Sequence, residues 1–160
     1  MSSWFRLPAL GAGILVVTIT SAAVGSGFEL LSKREYQSEL DKRAAAPQAP
    51  LVLKGADFNA PVITVVSPDR SGPIKPPVDI DLEFKPAQGA NVDVGTLKIF
   101  YGFLHLDITQ RILQAPGVQV SAAGLKASGA RLPSGSHKLL IQVADNLGRT
   151  ARQPLEFVVQ

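Results

Sequence analysis

Leu132-Pro133-Ser134-Gly135, the run His137–Ala144, the tetrapeptide Asp145-Asn146-Leu147-Gly148 and the run Thr150–Val159 decide the fold of this chain. Pro-Ser-Gly and Asn-Leu-Gly supply turn chemistry beside two stretches whose apolar residues alternate. Leu139, Ile141 and Val143 alternate at every second position, and so do Leu155, Phe157 and Val159. A period of two puts each set on one face of a strand, so the segment predicts a hairpin with one buried face.

The same reading extends toward the N-terminus. Val78-Asp79-Ile80-Asp81-Leu82-Glu83-Phe84 is the cleanest strand, with every even position apolar and an acid at each odd one. Such alternation belongs to a sheet with one face on the core and one in water. Val62–Ser67 forms an earlier strand, closed by Pro68 and a loop containing Gly72, Pro73, Pro76 and Pro77. Lys85–Gly95 reads as a loop and Leu97–Leu104 as the third strand. Ile108–Leu113 is a fourth strand or a short helical turn, Val118–Val120 is brief, and Gly124–Gly129 reads as a loop. About seven short strands between regular turn signals predict an all-β, antiparallel sandwich.

Residues 61–160 resemble the immunoglobulin-like, fibronectin-III-like domains common in bacterial envelope proteins. The resemblance rests on Pro61-x-Ile63-x-Val65-Val66-Ser67-Pro68, on Leu132-Pro133-Ser134-Gly135-x-His137 and on Val143-x-Asp145-x-x-Gly148. These motifs specify turns, so what they imply is an architecture and no activity. The disulfide and packing tryptophan of antibody domains are absent, since the only Trp is Trp4.

The N-terminal part is organised differently. From Leu7 to Phe28 there are 22 residues without a charge, and a helix needs roughly 20 apolar residues to cross a bilayer. Residues 1–28 are therefore expected to be an uncleaved signal-anchor or, with Ser21-Ala22-Ala23 offering small residues for processing, a cleaved signal peptide. Residues 29–43 are rich in helix formers, with Phe28, Leu31, Tyr36 and Leu40 as a thin apolar stripe, and read as a solvated helical stalk. Pro47 and Pro50 end that helix and open a Pro/Ala-rich linker over residues 44–60. Lys33, Arg34, Lys42 and Arg43 outnumber Arg6 across the apolar run, which alone would favour a cytoplasmic C-terminal side. A short N-terminus, an apolar run and a β-rich tail instead make the usual plan of an envelope protein. The expectation is a single-pass inner-membrane protein with a periplasmic domain, or a periplasmic or secreted one after cleavage.

Composition narrows the chemistry. No cysteine is present, which excludes disulfides, thiolate metal sites and cysteine nucleophiles. From Asn59 onward ten Lys/Arg face eight Asp/Glu, a balance of +2. No basic block is interleaved with aromatics, so nucleic acid is not an expected partner. His105 and His137 have no second histidine at ligand spacing, and no metal or cofactor is expected.

Asp79, Asp81 and Glu83 share a strand face, and Asp145 with Asn146 could join them around Ca²⁺. Carboxylates two apart on a strand are about 7 Å distant, too far for one ion. A solvent face balanced by cations on a neighbouring strand is the simpler reading. Ser134 or Ser136 with His137 and Asp107 would be needed for a hydrolase, yet no nucleophile turn surrounds either serine. No catalytic residue is assigned, and the chain reads as non-enzymatic. Asp107 is expected to hold a turn through backbone amides, with Arg111 structural or ligand-facing.

The third strand carries the remaining candidate. Ile99, Tyr101 and Phe103 fall on one face; Phe100, Gly102 and Leu104 fall on the face that should meet water. Either the linker covers that apolar face, or Phe100, Gly102 and Leu104 form a partner surface. The expected role is that of a tethered interaction or accessory module, with another envelope protein as the expected partner. The alternative is carbohydrate or cell-wall-polymer binding, which would want a row of exposed aromatics where the domain has no Trp and a single Tyr, Tyr101.

Overall fold

A computed structural model of the chain describes residues 27–45 and 59–160. It shows a two-sheet β-sandwich with a helix packed against it. The elements run β1 (Phe28–Glu29), α1 (Lys33–Ala45), β2 (Val62–Ser67), β3 (Val78–Lys85), β4 (Val92–Tyr101), β5 (Leu106–Asp107), α2 (Thr109–Leu113), β6 (Val118–Ser121), β7 (Gly124–Arg131), β8 (Gly135–Asp145) and β9 (Thr150–Val159). One sheet has the order β1-β7-β3-β2, with β6 also on β7; the other has the order β5-β4-β8-β9.

The closing hairpin behaves as its alternation demands. β8 and β9 pair antiparallel from Gly135↔Val159 to Ala144↔Thr150. Leu139, Ile141, Val143, Leu155, Phe157 and Val159 all turn inward. They meet Val78, Ile80, Leu82 and Phe84 of β3, so the two cleanest sequence patterns form facing halves of one core. Burying a large aliphatic or aromatic side chain contributes about 1.5–3 kcal/mol, and the sandwich rests on this layer.

Two segments depart from the sequence reading. β4 begins at Val92, inside the expected 85–95 loop, and stops at Tyr101 instead of Leu104. Its register on β8 shifts between Asp93 and Lys98. There Asp93 Oδ1 accepts from Gly95 N–H at 2.9 Å and Thr96 Oγ1 accepts from Ala144 N–H at 2.8 Å. Gly95 marks this irregularity within a strand, and it disguised the strand's first half. The second departure is Gly124–Arg131, a strand where a loop was expected. β7 pairs with β3 on one side and with β6 and β1 on the other. A side chain on Gly124 would run into the Leu82 carbonyl, so this glycine permits close approach and is no turn signal.

The stalk expected over residues 29–43 is corrected by the packing. Phe28 and Glu29 add to β7 in parallel, opposite Ala130 and Arg131, and Leu30 N–H donates to the Arg131 carbonyl at 3.0 Å. Leu30 and Leu31 are buried in the sandwich core. Ser32 then starts α1 with a reciprocal capping box: its Oγ accepts from Glu35 N–H, and Glu35 Oε2 accepts from Ser32 N–H. Tyr36 and Glu39 bury one side of the helix while Lys33, Arg34, Gln37, Ser38 and Asp41 remain exposed. The thin apolar stripe is thus a docking face, one turn wide, and the helix is a strap on the domain.

The anchor or signal over residues 1–28 lies, except for its last two residues, outside the described residues, as does most of the 44–60 linker. No helix among the described residues is long and apolar enough to cross a membrane.

Candidate functional site: the β4–β5 hairpin tip and the helix behind it

β5 pairs with the end of β4 through Phe100↔Asp107 and Tyr101↔Leu106, leaving Gly102–His105 as a four-residue turn. Two positive-φ residues reverse the chain, Gly102 at 69° and His105 at 50°. Gly102 N–H donates to the Lys138 carbonyl at 2.9 Å, and Phe103 N–H donates to Glu39 Oε1. The tip is therefore fixed from both sides, by β8 and by α1.

The residues proposed as a partner surface separate here. Leu104 is exposed, Phe100 is half-buried with its ring edge-on to His105 at 6.3 Å between centroids, and Gly102 lies beneath the Glu39 carboxylate. Because the strand ends at Tyr101, Phe103 leaves the inward parity and becomes exposed, together with Leu106. The apolar patch is thus Phe103, Leu104 and Leu106, each between 41% and 45% exposed, with Phe100 at its base. Leu106 was missed because two-residue pairing is too short to leave a periodic signal.

Polar groups around the tip hold the fold. Asp107 Oδ1 accepts from Thr109 N–H at 2.9 Å and thereby holds the turn that leads into α2, as expected. Bonds from the Thr109 hydroxyl and amide hold the Asp107 carboxyl below the usual carboxylate range. Arg111 is structural: its guanidinium donates to the Leu30 carbonyl at 2.9 Å and to both oxygens of Glu35, the closer at 2.8 Å. That fork draws the Glu35 carboxyl down to about 2.

Behind the tip lies a cluster whose members the sequence did not bring together. His137 is 1% exposed, walled by Tyr36 of α1, Tyr101 of β4 and Phe157 of β9. Its Nε2 lies 2.8 Å from the Pro133 carbonyl and its Nδ1 lies 2.8 Å from the Tyr101 hydroxyl. Burial pushes the imidazole pKa down, opposed by the Pro133 carbonyl, and pushes the Tyr101 hydroxyl up. His137 does point inward while Ser136 points out, so no Ser-His pair assembles, and Asp107 stands on the edge strand β5. A buried position was legible from the strand parity that His137 shares with Leu139 and Ile141.

The acids expected on a solvent face find partners of their own. Asp81 meets Lys126 of β7 at 3.2 Å, and Asp79 Oδ1 accepts from Gly129 N–H at 2.9 Å. Asp145 closes the β8–β9 turn: Oδ1 accepts from Leu147 and Arg149 N–H, and Oδ2 accepts from Arg149 Nε at 2.7 Å. Its turn role stands as read from the sequence.

No family model matches the chain, and no curated protein does. Among solved structures it is similar to CopC from Methylosinus trichosporium OB3b, with 16% identity and a TM-score of 0.41. The match covers 62% of this chain and 94% of that one. No residue's role is taken from a likeness this distant.

Proposed function

We propose that the protein is a non-enzymatic interaction or accessory module of the bacterial envelope, built on an immunoglobulin-like sandwich and tethered by its N-terminal apolar run or exported by it. The observation that carries this reading is the exposed Phe103, Leu104 and Leu106 on a hairpin tip fixed by α1 and β8. A patch of three large apolar side chains costs solubility without serving the core, and rigid presentation lowers the entropy lost on contact. Another envelope protein is the partner it suits. A tether would raise the local concentration of the tip for any partner in the same membrane.

The carbohydrate reading loses its main support, because Tyr101 is 2% exposed and its hydroxyl is bonded to His137. Photo-crosslinking in cells from position 104, with position 71 as an exposed control, tests the interaction reading. A discrete heterologous product from 104 and none from 71 is expected. Intramolecular products alone would sink it.

A further inference from the structure

We propose that His137 makes the docking of α1 acid-labile: protonation of its enclosed ring releases the helix, Lys33–Ala45, while β1 and the two sheets stay folded. This inference stands apart from the partner reading and holds whether or not the tip binds anything.

The geometry leaves the ring one protonation state. The Pro133 carbonyl can only accept, so Nε2 carries the ring proton. Nδ1 then accepts from the Tyr101 hydroxyl at 2.8 Å. A second ring proton would turn Nδ1 into a donor facing a donor. Tyr101 would have to turn its own proton elsewhere, and the cation would sit among Tyr36, Tyr101 and Phe157 without water.

One wall of this enclosure is removable. Tyr101, Phe157 and Pro133 belong to paired strands of the sandwich and their connecting loop, whereas Tyr36 belongs to α1. The Tyr36 ring stands 5.1 Å from the imidazole, between centroids. If α1 lifts, the imidazolium meets water on that side and the β4–β8–β9 pairing is untouched.

The surrounding charges do not oppose this. Facing from α1 are Glu39, committed to Phe103 N–H, and Glu35, turned to Arg111. On β8, the neighbouring Lys138 pairs with Glu156. The Tyr101 hydroxyl stays neutral, its pKa raised by burial. Burial likewise depresses the His137 pKa in the docked state, so the docked form is fully stabilised above the free imidazole pKa and loses that stability as pH falls. With a free-ring pKa of about 6.5 and a docked ring that stays neutral, the released-to-docked ratio rises up to about 30-fold between pH 7.5 and pH 5. Arg111 holds the Glu35 carboxyl near 2, so Glu35 stays ionised throughout this window and adds no pH dependence of its own.

The chain has no cysteine, so spin labels can be placed at will. Labels on Ser38→Cys and Ser128→Cys report the strap in the full-length protein; labels on Ser128→Cys and Val158→Cys report the sandwich. Pulsed dipolar distances should show one narrow strap distance at pH 7.5. A second, broad population should grow at pH 5, at the pH where the His137 ring titrates by NMR, with the sandwich distance unchanged. His137→Gln should abolish the pH response, and Glu39→Gln should retain it. A strap distance unchanged at pH 5 with the ring protonated overturns the proposal. So does a response that persists in His137→Gln, one lost in Glu39→Gln, or both label pairs broadening together. Should His137→Gln not fold, a mismatch between ring titration and strap release in the wild-type chain is equally decisive.

Discussion

The Glu39 carboxylate of α1 occupies the space that a side chain on Gly102 would need. Glu39 also accepts from Phe103 N–H, and Gly102 sits at a φ of 69° that other residues avoid. Helix and hairpin tip therefore hold one another in place.

Gly102→Ala should destabilise the protein by roughly 2–4 kcal/mol, combining left-handed backbone strain with loss of a charge-assisted hydrogen bond. In a Glu39→Ala background the same change should cost only about 1–2 kcal/mol, the backbone part. Denaturant unfolding of the four proteins in a double-mutant cycle checks the difference. Equal costs in both backgrounds would show that the two residues do not interact.

Leu30 separates a strap from a stalk. It is fully buried, so Leu30→Ala should cost about 2–5 kcal/mol. Leu147→Ala, at a site 61% exposed in the last turn, should stay within about 0.5 kcal/mol. A silent Leu30→Ala in thermal and chemical unfolding would return the segment to solvent.

Arg111 ties α2 to the strap through a planar fork on Glu35 and through the Leu30 carbonyl. Both ion-pair side chains are more than a third exposed or close to it, so Arg111→Ala should cost only about 1 kcal/mol. Arg111→Lys should fail to restore it, since an ammonium lacks the fork. Hydrogen exchange should place the loss at α1 amides and spare β8 and β9.

Asp145 gives the closing hairpin an acid limit. Burial alone would raise its pKa, but bonds from Arg149 backbone and side chain and from Leu147 N–H outweigh it and bring the carboxyl below its usual range. A depressed folded pKa means stability present above the unfolded value of about 4 and lost as pH falls through the folded one. The melting temperature should thus drop below pH 4, and Asp145→Asn should flatten that part of the profile. An unchanged profile in the variant would rule out Asp145 as the source.

What the sequence disclosed depended on how much local pattern each element needed. β3 and the β8–β9 hairpin are half-buried strands, so their period of two is written into every residue. β7 carries Gly124, Ala127, Ser128, Gly129 and Ala130 within eight residues, and so many small residues look like a loop in isolation. β4 is interrupted by Gly95, which hides a continuous strand behind a turn signal.

The candidate site shows the same division. Phe100 and Leu104 were legible as apolar residues out of place. The exposure of Phe103 and Leu106 followed from where β4 stops, a matter of tertiary pairing. Tyr36, Glu39 and His137 come from segments about a hundred residues apart, and no window along the chain relates them. The strap itself could not be foreseen, because four apolar residues on a polar helix suit a solvated stalk as well as a docked one.

The parallel pairing of Phe28 with Ala130 has a mechanical meaning. Any force applied to the N-terminal side reaches the sandwich first through two residues of β1 and then through α1. The load path ends in Leu30, Tyr36 and Glu39, well before β2. Residues 28–45 can pay out roughly 60 Å of extended chain before β2 bears tension. The first segment to yield to such a pull is thus the one fastened by Arg111 at one end and by the Phe103 amide at the other.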